Sequence, residues 1–255
     1  MPEQLIVLIG REGASTNILF QALDAHYEVH VIHEEPPATR KLLRWRVKQV
    51  GPFRLAGQML FQIGIALPMG RLSAGRRRAI LKQVGALDLP PPPEKVSRTA
   101  SVNSPDLLEQ LKALAPSLVV INGTRILTAH TLRAIGIPVL NVHAGITPKY
   151  RGVHGGYWAL VNKDAAHCGV TVHVVDAGID TGGILHQALI HPSPKDNFTT
   201  YPALQLVAGS KLLVQAVQEV LDGRYQVIKP TTTDRRWYHP TLWGYIWFRL
   251  SRKVR

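Results

Sequence analysis

The stretch IPVLNVHAGITPKYRGVHGGYWAL (137–160) decides how this chain reads. An apolar run, Ile137 to Leu140, leads into Asn141, Val142 and His143. A Gly, Pro, Tyr and Arg turn follows, and then GGYWAL with helical character. A short apolar run bounded by turn residues is a buried strand, and a strand followed by a helix is half of a βαβ unit. Side chains alternate between the faces of a strand, so Asn141 and His143 point together and Val142 points away. In an open α/β sheet, ligands bind beyond the carboxyl ends of the strands. A carboxamide and an imidazole at that end are therefore candidates for chemistry.

Working outward, the same rhythm recurs. LIVLIG (5–10), YEVHVIH (27–33), SLVVING (117–123), GVTVHVV (169–175) and GGILHQALI (182–190) read as strands. Helices are expected at 17–26, 104–114, 130–134, 154–161 and 200–221. Ser15 or Thr16 is the expected N-cap of the first. Ser104 caps the second, with Pro105 at its first position. Asp222-Gly223 closes the last. LPPPPEK (89–95) is expected to be a stiff linker. The expected fold is α/β: a Rossmann-like, open, twisted and mostly parallel sheet with helices on both faces.

The chain has 255 residues, 45% of them hydrophobic, which suits one α/β domain, assigned to 1–225. Its net charge of +13 favours anionic partners. That charge is uneven: 36–87 holds no Asp or Glu but many Lys and Arg, and 226–255 is basic and aromatic. The expected reading is a basic helical insertion at 38–87 and a separate C-terminal tail. Within the insertion, 55–69 is apolar but shorter than the ~20 residues a membrane-spanning helix needs. It either packs on the domain or lies on an anionic membrane surface. Cys168 is the only cysteine, so no internal disulfide forms and a reducing compartment is the default. The N-terminus reads as a first strand and not as a signal peptide. A cytoplasmic protein, with a membrane-peripheral variant of that reading, is the expectation.

A second polar cluster follows the next core strand: Asp176-Ala-Gly178-Ile-Asp180-Thr-Gly-Gly. If the two strands are neighbours, Asp180 reaches His143. An Asn can donate to a developing oxyanion, a His can move protons, and an Asp can orient the imidazole. With no Cys or Ser nucleophile in the cluster, direct attack by a substrate amine fits better than an acyl-enzyme. Each part alone also has a plain reading. Asn-x-His can be a satisfied corner of the core, and Asp180-Thr181-Gly182 a capped turn. The latter also spells an aspartic-protease motif, but the α/β rhythm is wrong for that all-β fold. Gly10 to Gly13 lacks the GxGxxG fingerprint and can be a simple βα turn. His154, His167, His173, His186 and His191 lack metal-site spacing, so no metal is expected.

Taken in order, Asn-Val-His-Ala, Pro-Lys-Tyr-Arg-Gly, Gly-Val-Thr-Val-His and Asp-x-Gly-Ile-Asp-Thr-Gly resemble the catalytic domain of the 10-formyltetrahydrofolate-dependent formyltransferases. That family includes glycinamide ribonucleotide, methionyl-tRNA and nucleotide-sugar formyltransferases. The resemblance is closest over 117–190. It implies that Asn141, His143 and Asp180 are catalytic. It also implies that Gly123, Arg125, Ile126 and Leu127 hold the pterin of 10-formyltetrahydrofolate as co-substrate, with the loop of Asp176 and Gly178 closing the pocket. The acceptor is expected to be a small amine, phosphorylated or nucleotide-linked, such as glycinamide ribonucleotide or an amino sugar. Gly10, Gly13, Ser15, Thr16 and Asn17 at a helix N-terminus are the candidates for cradling its phosphate, with Arg11 adding charge. His154 is assigned to the acceptor side. The chain departs from the family pattern at Gly145-Ile146-Thr147-Pro148, where Ser-Leu-Leu-Pro is usual, and 200–218 has no acid to hold an acceptor ammonium. Some thirty residues after the last core helix are too few for a five-stranded barrel, so tRNA is not the expected partner. The alternatives are a methionyl-tRNA-type enzyme without that barrel, or a non-catalytic RNA-binding relative. Oligomeric state is left open.

Overall fold

A computed structural model describes residues 4–83, 85, 88–229 and 236–255. The far end of the expected insertion and residues 230–235 of the expected tail lie outside the described residues. In chain order the elements are β1 (Leu5–Gly10), α1 (Ala14–Asp24), β2 (Glu28–Glu34), α2 (Thr39–Val50), α3 (Pro52–Phe61), α4 (Leu67–Leu72), α5 (Ala74–Lys82) and β3 (Val96–Thr99). Then come α6 (Pro105–Leu114), β4 (Leu118–Asn122), α7 (Ala129–Ile135), β5 (Val139–His143), β6 (Arg151–Gly152) and α8 (Gly155–Val161). The chain continues through β7 (Gly169–Val174), β8 (Ile184–Leu189), α9 (Tyr201–Leu221), β9 (Arg236–Trp237) and α10 (Leu242–Arg252).

Seven strands form one sheet in the order β3-β2-β1-β4-β5-β7-β8. The first five are parallel to one another; β7 runs antiparallel to both of its neighbours, β5 and the edge strand β8. Both faces are covered, which is why the central strands β1 and β4 read as nearly unbroken apolar runs. Ile6, Leu8, Val120 and Leu140 pack with Leu19 of α1 and Leu213 of α9. Val7, Ile9, Val119 and Val139 pack on the other face with Leu107 of α6 and Leu132 of α7. The odd-numbered face of β5 is the one that ends in Asn141 and His143.

Two local expectations need adjustment. The Pro-rich segment leads directly into β3, a strand that pattern reading missed because VSRT is short and mostly polar. It forms by pairing in register with β2, Val31 opposite Val96. The N-cap of α1 is Gly13, with no side-chain cap. Ser15 and Thr16 already lie inside the first turn, and the Thr16 hydroxyl turns back to donate to the Arg11 carbonyl at 2.6 Å. By contrast Ser104 does cap α6, accepting from the Leu107 N–H at 3.4 Å.

Helices α2 to α5 fill the connection between β2 and β3, and α3 runs through a π-helical turn at Gln62–Ala66 into α4. One face of this run is committed to the body. Phe61 and Ala66 enter a second core with Tyr150, Tyr157, Phe198 and Tyr245. The Gln58 amide donates to the His239 carbonyl at 2.9 Å. Phe53 stacks on Trp243 at 4.6 Å, and any side chain at Gly57 would occupy the space of that indole. Arg76 of α5 forks onto the buried Asp196 carboxylate through two bonds of 2.9 Å. The helices between β2 and β3 and the C-terminal helix are thus packed against each other. The ladder of β6 with β9 brings the C-terminal segment to Arg151 and Gly152, beside the end of β5.

Candidate active site

Register assembles the site. Because β5 and β7 are antiparallel neighbours, Asn141 lies opposite His173 and His143 opposite Thr171. The chain leaves β7 into the loop that carries Asp176 and Asp180, and the loop folds back over the end of β5. His143 is buried. Its Nε2 lies 2.8 Å from the Tyr150 carbonyl, which can only accept, so Nε2 carries a proton and donates. Nδ1 is left facing the Asp180 carboxylate, with 3.4 Å between Nδ1 and Oδ1. Asp180 is itself held in the left-handed region at φ 50, a conformation in which Asp is enriched among non-glycine residues. Its Oδ2 accepts from the Gly152 N–H at 2.9 Å. The β6 backbone therefore fixes the carboxylate that faces His143.

His173 orients Asn141. Its Nδ1 donates to the Val174 carbonyl at 3.0 Å, which leaves Nε2 as an acceptor for the Asn141 amide, 3.1 Å away. Burial, the largest influence, lowers the His173 pKa and favours the neutral ring that this arrangement requires. The carboxamide is so turned that its NH2 lies toward His173 and the second N–H and the oxygen are free for other partners. An amide N–H, an imidazole nitrogen and a carboxylate thus meet at one strand end. That is equipment for stabilising an oxyanion and for relaying a proton.

The loop residues have structural duties of their own. Asp176 Oδ1 accepts from the Gly178 N–H at 2.9 Å and the Thr181 hydroxyl at 2.7 Å, closing the turn that carries Asp180. A side chain at Gly178 would collide with Thr181. After β4, Gly123 turns the chain with φ 64. The Arg125 N–H donates to Glu34 Oε2 at 2.9 Å, and its guanidinium bonds the carbonyls of Ala100 and Glu35. Leu127 is buried in the core with Val102 and Leu107, whereas the Ile126 side chain is exposed.

The residues assigned to the acceptor divide. Gly13 and Ser15 are exposed, and Ser15 accepts from Asn122 at 2.9 Å. Thr16 and Asn17 are buried, Asn17 donating to Asp88 at 2.8 Å. Gly10 lies against the Thr16 hydroxyl, where a Cβ would not fit. His154 sits at the N-cap of α8 with φ 59, packed on Phe198. Its Nε2 lies 2.9 Å from His239 Nδ1. It thus ties α8 to the C-terminal segment. Burial, then the neighbouring His239, pushes its pKa down to about 3. The other histidines disperse, His167 to Asp164 and His186 to Glu219, and no group of metal-binding side chains gathers among the described residues.

Sequence reading missed two contributors. His173 was seen only as one of several histidines, although its place on the odd-numbered face of a strand was legible. Glu34 ends β2, where its buried carboxylate accepts from the N–H groups of Val102 and Arg125, each at 2.9 Å. No sequence spacing announces that role.

The fold and site define a Rossmann-like α/β protein with an Asn-His-Asp cluster at the carboxyl end of its sheet. Residues 71–217 match the formyl transferase model, and the chain belongs to that family. It is 32% identical over 133 residues to a methionyl-tRNA formyltransferase of Azobacteroides pseudotrichonymphae, a match covering 52% of this chain and 41% of that relative. The chain thus spans well under two thirds of the length of such relatives. Among solved structures it is similar in fold to glycinamide ribonucleotide transformylase 1 from Symbiobacterium toebii, with a TM-score of 0.56 at 19% identity, covering 90% of this chain and 96% of that one. It is likewise similar to an N-formyltransferase from Helicobacter canadensis in complex with folinic acid and dTDP-3-aminofucose. There the TM-score is 0.54 at 16% identity, covering 91% of this chain and 70% of that one.

Proposed function

We propose that this protein transfers a formyl group from 10-formyltetrahydrofolate to a primary amine of a small, phosphorylated or nucleotide-linked acceptor. The observation that carries the reading is the convergence of Asn141, His143 and Asp180, with His143 Nδ1 facing the carboxylate at 3.4 Å. The acceptor nitrogen attacks the formyl carbon; its bond to that carbon forms as the carbon–N10 bond breaks. The free Asn141 N–H donates to the developing oxyanion. One proton leaves the acceptor nitrogen and one reaches N10. The Nδ1 edge of His143 and Asp180 relay them, directly or through water, the carboxylate stabilising positive charge on the ring.

The turn at Gly123, the exposed Ile126, and Arg125, which braces the turn, supply one wall for a pterin. The Asp176–Gly178 turn supplies the other. The exposed Gly13 and Ser15, at the start of α1, remain open to an acceptor phosphate, while Thr16 and Asn17 shape that loop from within. We assign 1–225 as the transferase unit, with 38–87 and 226–255 as additions to it, acting in the cytoplasm. The amine-bearing nucleotide sugar in the Helicobacter canadensis structure supports the small-acceptor class. The identity to methionyl-tRNA formyltransferases keeps charged initiator tRNA as the second reading.

The test is formyl transfer from 10-formyltetrahydrofolate, screened against glycinamide ribonucleotide, amino-sugar nucleotides and methionyl-tRNA. Transfer to one of the first two is expected, and transfer to tRNA alone selects the second reading. Asn141→Ala and Asp180→Ala should fold normally by circular dichroism and lose roughly 100-fold or more in kcat. Near-normal turnover in both variants removes the assignment.

A further inference from the structure

Two helical segments carry half of the exposed large apolar side chains among the described residues. On α10, Trp243, Ile246, Trp247 and Leu250 are all exposed, and Trp247 and Leu250 are 66% and 75% exposed. Their spacing of three, four and seven residues from Trp243 places them on one side of the helix, while Tyr245 is buried on the other. Along α3 and its continuation, Phe53, Leu60, Ile63 and Leu67 are exposed, with Phe61 and Ala66 facing inward. The stack of Phe53 on Trp243 joins the two stripes into one surface. An apolar face this extensive on a folded chain marks an interaction site.

Charge narrows the partner. Residues 36–87 and 236–255 contain no Asp or Glu. Arg54 is exposed on α3, Arg71 on α4 and Arg249 on α10, and Arg44 and Lys48 are exposed on the neighbouring α2. A second copy of this face would set cations against cations with no acid to pair them. A nucleic acid would match the cations but leave Leu60, Ile63 and Leu250 without an apolar partner. An anionic bilayer satisfies both needs: acyl chains accept the apolar stripe, headgroups pair the Arg and Lys, and exposed tryptophans suit the boundary between them. No helix among the described residues is long and apolar enough to span. Binding would therefore lie in the plane of the surface.

We infer that the joined face of α3, α4 and α10 docks this protein on an anionic membrane surface. This inference is independent of which amine the site formylates. The test is co-sedimentation of the full chain with phosphatidylcholine vesicles containing about one third phosphatidylglycerol. Partition should fall at least tenfold on pure phosphatidylcholine and weaken at ~0.5 M salt. Tryptophan emission should shift to the blue and be quenched by brominated acyl chains. The double variant Ile63→Glu, Trp247→Glu alters two exposed side chains. It should lose at least tenfold in partition while keeping its circular dichroism and its formyl transfer to a soluble amine. No co-sedimentation with anionic vesicles overturns the inference. So does wild-type partition retained by the double variant, or a dimer in solution that the double variant converts to monomer without any vesicle binding. RNA binding without vesicle binding overturns it as well. Should the variant fail to fold, absence of lipid quenching in the wild-type protein is decisive in its place.

Discussion

His173 carries one proton and has two close partners, and the partners decide where the proton sits. The Val174 carbonyl takes Nδ1–H, so Nε2 accepts from Asn141. A neutral ring is needed for this, and burial supplies the bias. In the proposed reaction His173 is a positioning residue, acting through the carboxamide, with the Asp180 carboxylate also 3.9 Å from its Nε2. His173→Phe keeps a flat ring in place but removes the acceptor. We expect kcat to fall roughly 10- to 100-fold with the folate KM little changed, since a small misplacement of a reacting group costs on that order. His173→Gln, which restores an acceptor oxygen, should recover part of the loss. An unchanged kcat in the Phe variant would refute the role. The Asn-x-His spacing was legible from alternation alone. The histidine that aims the Asn was not, because it lies thirty-two residues away on another strand.

The turn after β4 is shaped less by its own residues than by the end of β2. Glu34 is buried, and its two carboxylate oxygens accept one backbone N–H each, from Val102 and from Arg125. Its side chain also pairs with the Arg125 guanidinium at 3.4 Å. Removing the carboxylate leaves those donors without their acceptor. Glu34→Ala should therefore cost about 2–3 kcal/mol in urea unfolding. Under the proposed function it should also raise the folate KM more than it lowers kcat, because the pterin wall loosens while Asn141 and His143 stay in place. Glu34→Gln keeps one acceptor oxygen and should lie between the two. A KM equal to that of the unaltered protein would separate this brace from the folate site. At this scale the strand and helix pattern was readable wherever apolar runs were long. It failed at β3, a four-residue strand that exists because β2 offers it an edge.

At the scale of the whole molecule, the β6–β9 ladder, the Gln58–His239 bond and the His154–His239 contact hold the C-terminal segment to the body. The two histidines make that attachment sensitive to pH. Burial lowers the pKa of His154 to about 3 and of His239 to about 4, with the charge of Arg46 adding to the second. In the unfolded chain both titrate near 6.5. Below that pH the unfolded state binds protons that the folded state refuses, so stability falls as pH drops from 6.5 toward 4. We expect a loss of about 2–3 kcal/mol between pH 7.5 and 5.5 in urea unfolding. The His154→Gln, His239→Gln double variant should lose most of that dependence. Asp196 acts in a different window. Burial alone would raise its pKa, but bonds from Arg76 and Ser193 hold it at about 2. Its contribution is present above pH ~4 and lost only as pH falls toward 2. Stability that is flat between pH 7.5 and 5.5 would show that the histidine pair is not packed together in this way in solution.

Local chemistry determined much of this protein from its sequence. Apolar runs and their turn residues specify the βα rhythm, alternation puts Asn141 and His143 on one face, and clustered Lys and Arg mark two basic segments. These are properties of neighbours along the chain, where the periods of strand and helix operate. Tertiary structure decided the rest. It set β7 antiparallel against β5, so that His173 meets Asn141 and Asp180 meets His143. It turned Thr16 and Asn17 inward and left Gly13 and Ser15 outside. It packed one face of α3 and α10 and left the other open. Strand order, register and the choice of buried face depend on contacts between residues far apart in sequence, and a local period carries no record of them.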